Sequence, residues 1–176
     1  QEIGVDADSF DQAVTHALRQ DPDIVVIGEM VNLETISAAL TAAETGHTVF
    51  GTLHTQGAAG TITRIIDVFP PRQQAQVRNQ LVNTLRAVMS QKLLPRANRR
   101  GRMLVYELMV VNDAVRNLIR DEKVHQIANV MQTGRSQGMQ LMDHMIRDAW
   151  MSGEITYETA LAAVSDPKFL TRRRMS

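Results

Sequence analysis

Two short apolar segments, each ending beside a residue able to do chemistry and joined by one helical stretch, constrain this chain's fold more than any other feature. The first is DPDIVVIGEM, Asp21 to Met30, where four apolar residues, Ile24 to Ile27, run straight into Gly28 and Glu29. A run that apolar predicts a strand buried on both faces, as in parallel sheets. The second is TVFGTL, Thr48 to Leu53, β-branched and bounded by His47 and His54. Between them Asn32 is a good N-cap. Leu33, Ile36, Ala39, Leu40 and Ala43 then recur at helical spacing, and Gly46 suits the turn that ends the helix. Strand, helix, strand is a βαβ unit, so the strands lie parallel with a right-handed crossover.

That topology sorts the polar residues. Glu29 and His54 both fall just beyond the carboxyl ends of their strands, the edge where open α/β sheets bind ligands. His47 falls at the other end of its strand, roughly 20 Å from His54 at about 3.3 Å per residue. A single metal site using both histidines is disfavoured.

The rest of the chain reads more coarsely. Asp8 and Ser9 can cap a first helix with Phe10, Ala13, Val14, Ala17 and Leu18 on one face, stopped by Asp21-Pro22. Residues 57–66 read as a helix leading to DVFPP, where Pro70 and Pro71 force a break. Val77, Leu81, Leu85, Val88 and Met89 predict a long helix from about Gln73 to Met89. Ser90 to Leu94 reads as a short strand, RANRRGR as a solvated turn, and Met103 to Val111 as a further strand. Segments 113–121, 123–132, 138–151 and 156–164 read as short helices, and the final TRRRMS as a frayed end. The organisation expected is an α/β domain over 1–111 followed by a small helical subdomain over 112–176.

Composition excludes several classes. The 176 residues carry 19 basic and 19 acidic side chains, so nothing electrostatic favours general nucleic-acid binding. With no cysteine, disulfides and thiolate metal sites are excluded. No apolar run approaches the roughly 20 residues of a membrane span. Ten methionines, among them Met139, Met142 and Met145, read as core filler.

An acid at the end of an apolar strand suits the water-orienting carboxylate of a P-loop NTPase. It equally suits a general base or metal ligand in another hydrolase, or a merely solvated carboxylate. His54 can donate to a phosphate oxygen or simply end a strand. Arg64 can reach an anion or form a surface ion pair. His16, His125 and His144 lie on predicted helices without metal-like spacing.

Several stretches taken together narrow this choice. DPDIVVIGEM followed by LETI, then LTAAETGH-VFGTLHT, TRIIDVFP, AVRNLIRD and TG-S-GMQ-MD resemble the PilT-type retraction ATPases of type IV pili, within the secretion ATPase superfamily. The resemblance runs from about Phe10 to Ala149. It implies that the chain is the C-terminal half of a RecA-like P-loop ATPase core with a helical C-terminal subdomain. It implies that Glu29 and His54 are catalytic and that Gly28, His47, Thr55 and Arg64 bind nucleotide. It also implies that Arg116, Asn117, Leu118, Ile119 and Arg120 form a retraction motif facing partners. The cofactors implied are ATP and Mg2+. The partners implied are a homo-hexameric ring and an inner-membrane pilus platform protein, at the cytoplasmic face of that membrane. The lack of paired cysteines favours retraction over assembly relatives, which commonly carry a four-cysteine zinc module.

Two departures stand out. Val31 and Asn32 replace the Arg and Asp usual after this family's Walker B glutamate. No G-x-x-x-x-G-K-[ST] occurs anywhere in the sequence, so the phosphate-cradling loop is missing. The expectation is therefore that Gln1 lies inside a longer motor domain, with ATP and Mg2+ held mainly through an upstream loop and this piece inactive alone. The alternative is a non-catalytic ring-binding or regulatory module derived from such a motor.

Overall fold

The computed structural model describes residues 22–97 and 100–170, together with Val5, Asp6, Ala13, His16, Ala17, Arg19 and Gln20. The first helix expected falls largely outside the described residues. The TRRRMS end does so entirely, as do Asn98 and Arg99 of the RANRRGR turn. The chain divides into two compact units: residues 1–55, 60–85 and 116–124, and residues 56–59, 86–115 and 125–176.

In the first unit β1 (Ile24–Ile27) and β2 (Thr48–Gly51) pair in parallel, Ile24 opposite Thr48 and Ile27 opposite Gly51. Helix α1 (Leu33–Glu44) makes the crossover. It starts where expected because Asn32, extended at φ −116°, accepts from Thr35 N–H through its side-chain oxygen at 3.0 Å. It ends at Gly46, whose φ of +102° a side chain would resist. Ile36, Ala39, Leu40 and Ala42 are buried, and α1 packs on β2.

Among the described residues β1 is covered on one face only, where the sequence predicts burial on both. Ile24 and Val26 are 59 % and 74 % exposed, and Phe50, on the same face, 59 %. The reason is that β1 and β2 form a two-stranded sheet and only its α1 side is covered. Alternation then buries Ile27 and leaves its neighbour Val26 in water.

The unit continues with α2 (Gly57–Asp67), whose first three residues belong to the second unit, and α3 (Pro71–Thr84). Pro70 and Pro71 open α3 instead of preceding it at a distance, because Pro71 sits at a position where no N–H is needed. Helix α3 stops at Leu85, in extended conformation, well short of the expected Met89. Val77, Leu81 and Val82 are buried, and Gln80 donates to Glu44 of α1 at 2.8 Å.

In the second unit β3 (Ala87–Pro95) and β4 (Arg102–Val110) form an antiparallel ribbon, Ala87 opposite Val110 and Pro95 opposite Arg102. Residues 87–89, expected in a helix, therefore begin a strand longer than the one expected. Val88 and Leu94 are buried and share a face of β3, which fixes the period at two.

One face of the ribbon carries α6 (Met142–Met151) and α7 (Tyr157–Ala163). Their core joins Leu94 and Val105 to Met142, Ile146, Ala149, Ile155, Ala160 and Leu170. Arg96 pairs with Glu154 instead of standing in solvent, which corrects the reading of RANRRGR at that residue. Buried Asp143 accepts from Ser165 N–H at 2.9 Å and Asp166 N–H at 3.1 Å, tying the chain after α7 to the start of α6.

Helix α4 (Asp113–Arg120) is shared between the two units and α5 (Ile127–Thr133) belongs to the second.

Candidate functional site

The parallel register brings the exits of β1 and β2 side by side. Met30 N–H donates to Thr52 C=O at 2.9 Å, and the Thr52 hydroxyl donates to Gly28 C=O. Met30 folds over Gly51, where a Cβ would stand 2.6 Å from its sulfur. With the two exits pinned in this way, Glu29 Oε1 and His54 Nε2 lie 3.1 Å apart.

The side chains are 51 % and 88 % exposed respectively, so water screens the pair and it adds little to stability. Its interest is chemical. A carboxylate able to orient water and an imidazole able to donate to an anion share one sheet edge.

Thr55 follows directly. Its hydroxyl is 2.7 Å from that of buried Thr61 on α2, so it is engaged in holding the loop against that helix. Arg64, on α2, is exposed and has no partner among the described residues. Gly28 is exposed, with nothing within 4 Å of where a Cβ would be.

His47 is at the opposite end of β2. Its Nδ1 is 3.0 Å from Ala42 C=O and 3.0 Å from the Thr45 hydroxyl, at the C-terminal end of α1. The structure thus brings Glu29, Gly28, His54 and Thr55 together and leaves His47 apart. Among the described residues no group of three His, Asp or Glu side chains is placed to hold a metal ion.

The AVRNLIRD stretch forms α4, capped by Asn112, whose side-chain oxygen accepts from Val115 N–H at 3.0 Å. Val115 and Ile119 are fully buried and Leu118 half-buried. Arg116 Nε donates to Val82 C=O at 3.1 Å, and Arg120 donates to Asn117 at 3.0 Å. Asn117 and Arg120 are exposed. After the helix Glu122, at φ +62°, pairs with Arg78 at 2.6 Å.

Two residues of this neighbourhood escaped sequence reasoning, Thr52 and Thr61, and so did Glu107 in the second unit. Glu107 carries a readable signal. It shares a face of β4 with Val105 and Met109, both fully buried, so an acid stands in an apolar alternation. Its Oε1 accepts from Ala58 N–H at 2.7 Å.

Residues 4–162 match the family described as Type II/IV secretion system protein, and the chain belongs to that family. Within it, the chain is 51 % identical over 152 residues to the twitching motility protein of Neisseria gonorrhoeae, covering 86 % of this chain and 41 % of that protein. It is 46 % identical over 168 residues to the type IV pilus retraction ATPase PilT of Pseudomonas aeruginosa, covering 96 % and 48 %.

Among solved structures it resembles the pilus retraction motor PilT with bound ADP, at TM-score 0.86 and 48 % identity over 96 % of this chain and 47 % of that one. It also resembles the ATPase DotB of Legionella pneumophila, at TM-score 0.80 and 30 % identity over 92 % and 44 %. The fold is accordingly that of a portion of these α/β ATPases. The chain spans under half the length of the relatives it matches.

Proposed function

We propose that this chain is the part of a pilus-retraction ATPase that carries the hydrolytic carboxylate. The observation that carries the proposal is the Glu29–His54 pair, 3.1 Å apart at the carboxyl edge of parallel β1 and β2. Glu29 orients the attacking water toward the γ-phosphate and takes up its proton as the water oxygen bonds to the γ-phosphorus and the bond from that phosphorus to the bridging oxygen breaks, ADP leaving with that oxygen. His54 then turns its ring N–H from Glu29 to a phosphoryl oxygen, where donors aimed at developing charge contribute most. Thr55 and Arg64 serve the same anion, and His47 supports the site through the end of α1.

One carboxylate and one imidazole fit the water side of such a site. They do not form a metal cage, so the residues that hold Mg2+ and the phosphates lie outside this set. Gly28 leaves space beside Glu29 and contributes no ligand. Nucleotide binding is supported by the ADP bound to the pilus retraction motor PilT that this chain resembles.

The same reading makes the whole protein a homo-hexameric ring working on a pilus platform protein at the cytoplasmic face of the inner membrane. No described helix is long and apolar enough to cross a membrane. Residues 1–111 contribute to the ATPase core, and 112–176 form a helical subdomain bearing the Arg116–Arg120 motif. The compact units cut across that boundary, since β3 and β4 group with the C-terminal helices.

The test is Glu29→Gln in the intact ring-forming protein. ATP binding is retained and turnover falls by at least a hundredfold. Near-normal turnover removes Glu29 from the mechanism.

A further inference from the structure

The pairing of β1 with β2 ends at Ile27 opposite Gly51, so Glu29 lies beyond the strand ladder. Its backbone is nonetheless held on both sides. The peptide plane before it presents Gly28 C=O, which accepts from the hydroxyl of Thr52, 24 positions along the chain. The plane after it presents Met30 N–H, which donates to Thr52 C=O at 2.9 Å. One residue thus holds both planes about Glu29, one through its side chain and one through its backbone.

Rotation about the two soft backbone bonds of Glu29 decides where its side chain points, and each plane held restricts one of them. The Glu29–His54 contact does not supply that order by itself. Both side chains are exposed, and water screens their attraction. His54 stands two residues beyond Thr52, so the residue that aims the carboxylate also begins the turn that presents the imidazole. We propose that Thr52 is a positioning residue: its hydroxyl sets the peptide plane before Glu29 and so holds the carboxylate at His54.

Thr52 touches neither reacting group and acts through the backbone. Gly28, Glu29, Met30, Thr52 and His54 all belong to the first unit. The functional meaning of this role rests on the ATPase reading above.

The test uses the 176-residue chain, with the imidazole ¹⁵N signals of His54 as readout and Glu29→Gln as the probe. In the otherwise unchanged chain, Glu29→Gln displaces those signals because the 3.1 Å contact is altered. Thr52→Val keeps the β-branch of a strand residue and the backbone bond to Met30, and removes only the hydroxyl. In that background Glu29→Gln displaces the signals by less than half as much. In a Thr52→Ser background the full displacement returns, since a hydroxyl can again donate to Gly28 C=O. Gln80→Ala, which removes a hydrogen bond between α3 and α1 of the same unit, leaves the displacement full.

A full displacement with Thr52→Val overturns the proposal. So does an equal loss with Gln80→Ala, a failure of Thr52→Ser to restore it, or no displacement at all without a Thr52 change. In the intact protein Thr52→Val lowers kcat and leaves the KM for ATP unchanged, because it disturbs the carboxylate and no phosphate contact. Loss of the coupling with an unaltered kcat would sink the hydrolytic reading of the pair and leave the positioning role standing.

Discussion

His47 Nδ1 lies 3.0 Å from the carbonyl oxygen of Ala42, the acceptor it shares with the Thr45 hydroxyl at the end of α1. A carbonyl oxygen only accepts, so the proton in this contact sits on Nδ1. One imidazole therefore serves a helix end while the other, His54, faces Glu29. His47→Ala is expected to cost about 0.5–1.5 kcal/mol of stability, as one lost hydrogen bond does. His54→Ala is expected to leave the melt unchanged and lower turnover of the intact protein about a hundredfold. Denaturant unfolding and steady-state ATP hydrolysis, run on both variants, separate the two roles.

Asn32 caps α1 through its side-chain oxygen at 3.0 Å from Thr35 N. Asn and Asp are nearly equal caps, and a negative charge at a helix start adds a few tenths of a kcal/mol at most exposed sites. Asn32→Asp is therefore expected to be neutral or slightly stabilising. Asn32→Ala should cost about 0.5–2 kcal/mol. Urea unfolding followed by circular dichroism measures both.

Asp143 holds two backbone N–H groups, those of Ser165 and Asp166, from a buried position on the first turn of α6. Asp143→Ala leaves those donors without their acceptor, so it is expected to destabilise by about 1–3 kcal/mol. Amide exchange at Ser165 and Asp166 should accelerate with it. Unchanged exchange at both would show that the carboxylate does not hold them.

His144 titrates below its ordinary 6.5, first because it is partly buried, then because Arg147 and Arg135 stand near it, with Asp148 and Asp143 opposing. Its ring also lies 5.1 Å from that of Phe169. Between the lowered folded value and 6.5 the unfolded chain binds more protons, so stability falls as pH drops through that window and is fully regained above about 6.5. His144→Gln should flatten this part of the stability–pH curve. An unaltered slope in thermal melts across the window would rule out His144 as its source.

The parallel pair was legible because an unbroken apolar run and a β-branched run flank one well-capped helical period, and two strand exits with polar residues follow from that alone. What failed to show was anything set by distant chain. Leu85, Val88 and Met89 fit a helical spacing, and only the pairing of residues 87–95 with β4 settles the period. The exposure of Val26 depends on which strands flank β1, which no local pattern encodes. Glu107 caps a helix 49 positions away, beyond the reach of any capping motif, although an acid between Val105 and Met109 on one strand face marked it as out of place.

The register of β1 on β2 also has a consequence for what kind of sequence change the chain can absorb. Ile27 stands opposite Gly51, and the two exits run side by side from there. A single residue inserted or deleted in either strand would slide one exit past the other by about 3.3 Å and turn every side chain beyond it to the opposite face. A one-codon indel within β1 or β2 would therefore separate Glu29 from His54. Length is what each of these two strands must keep.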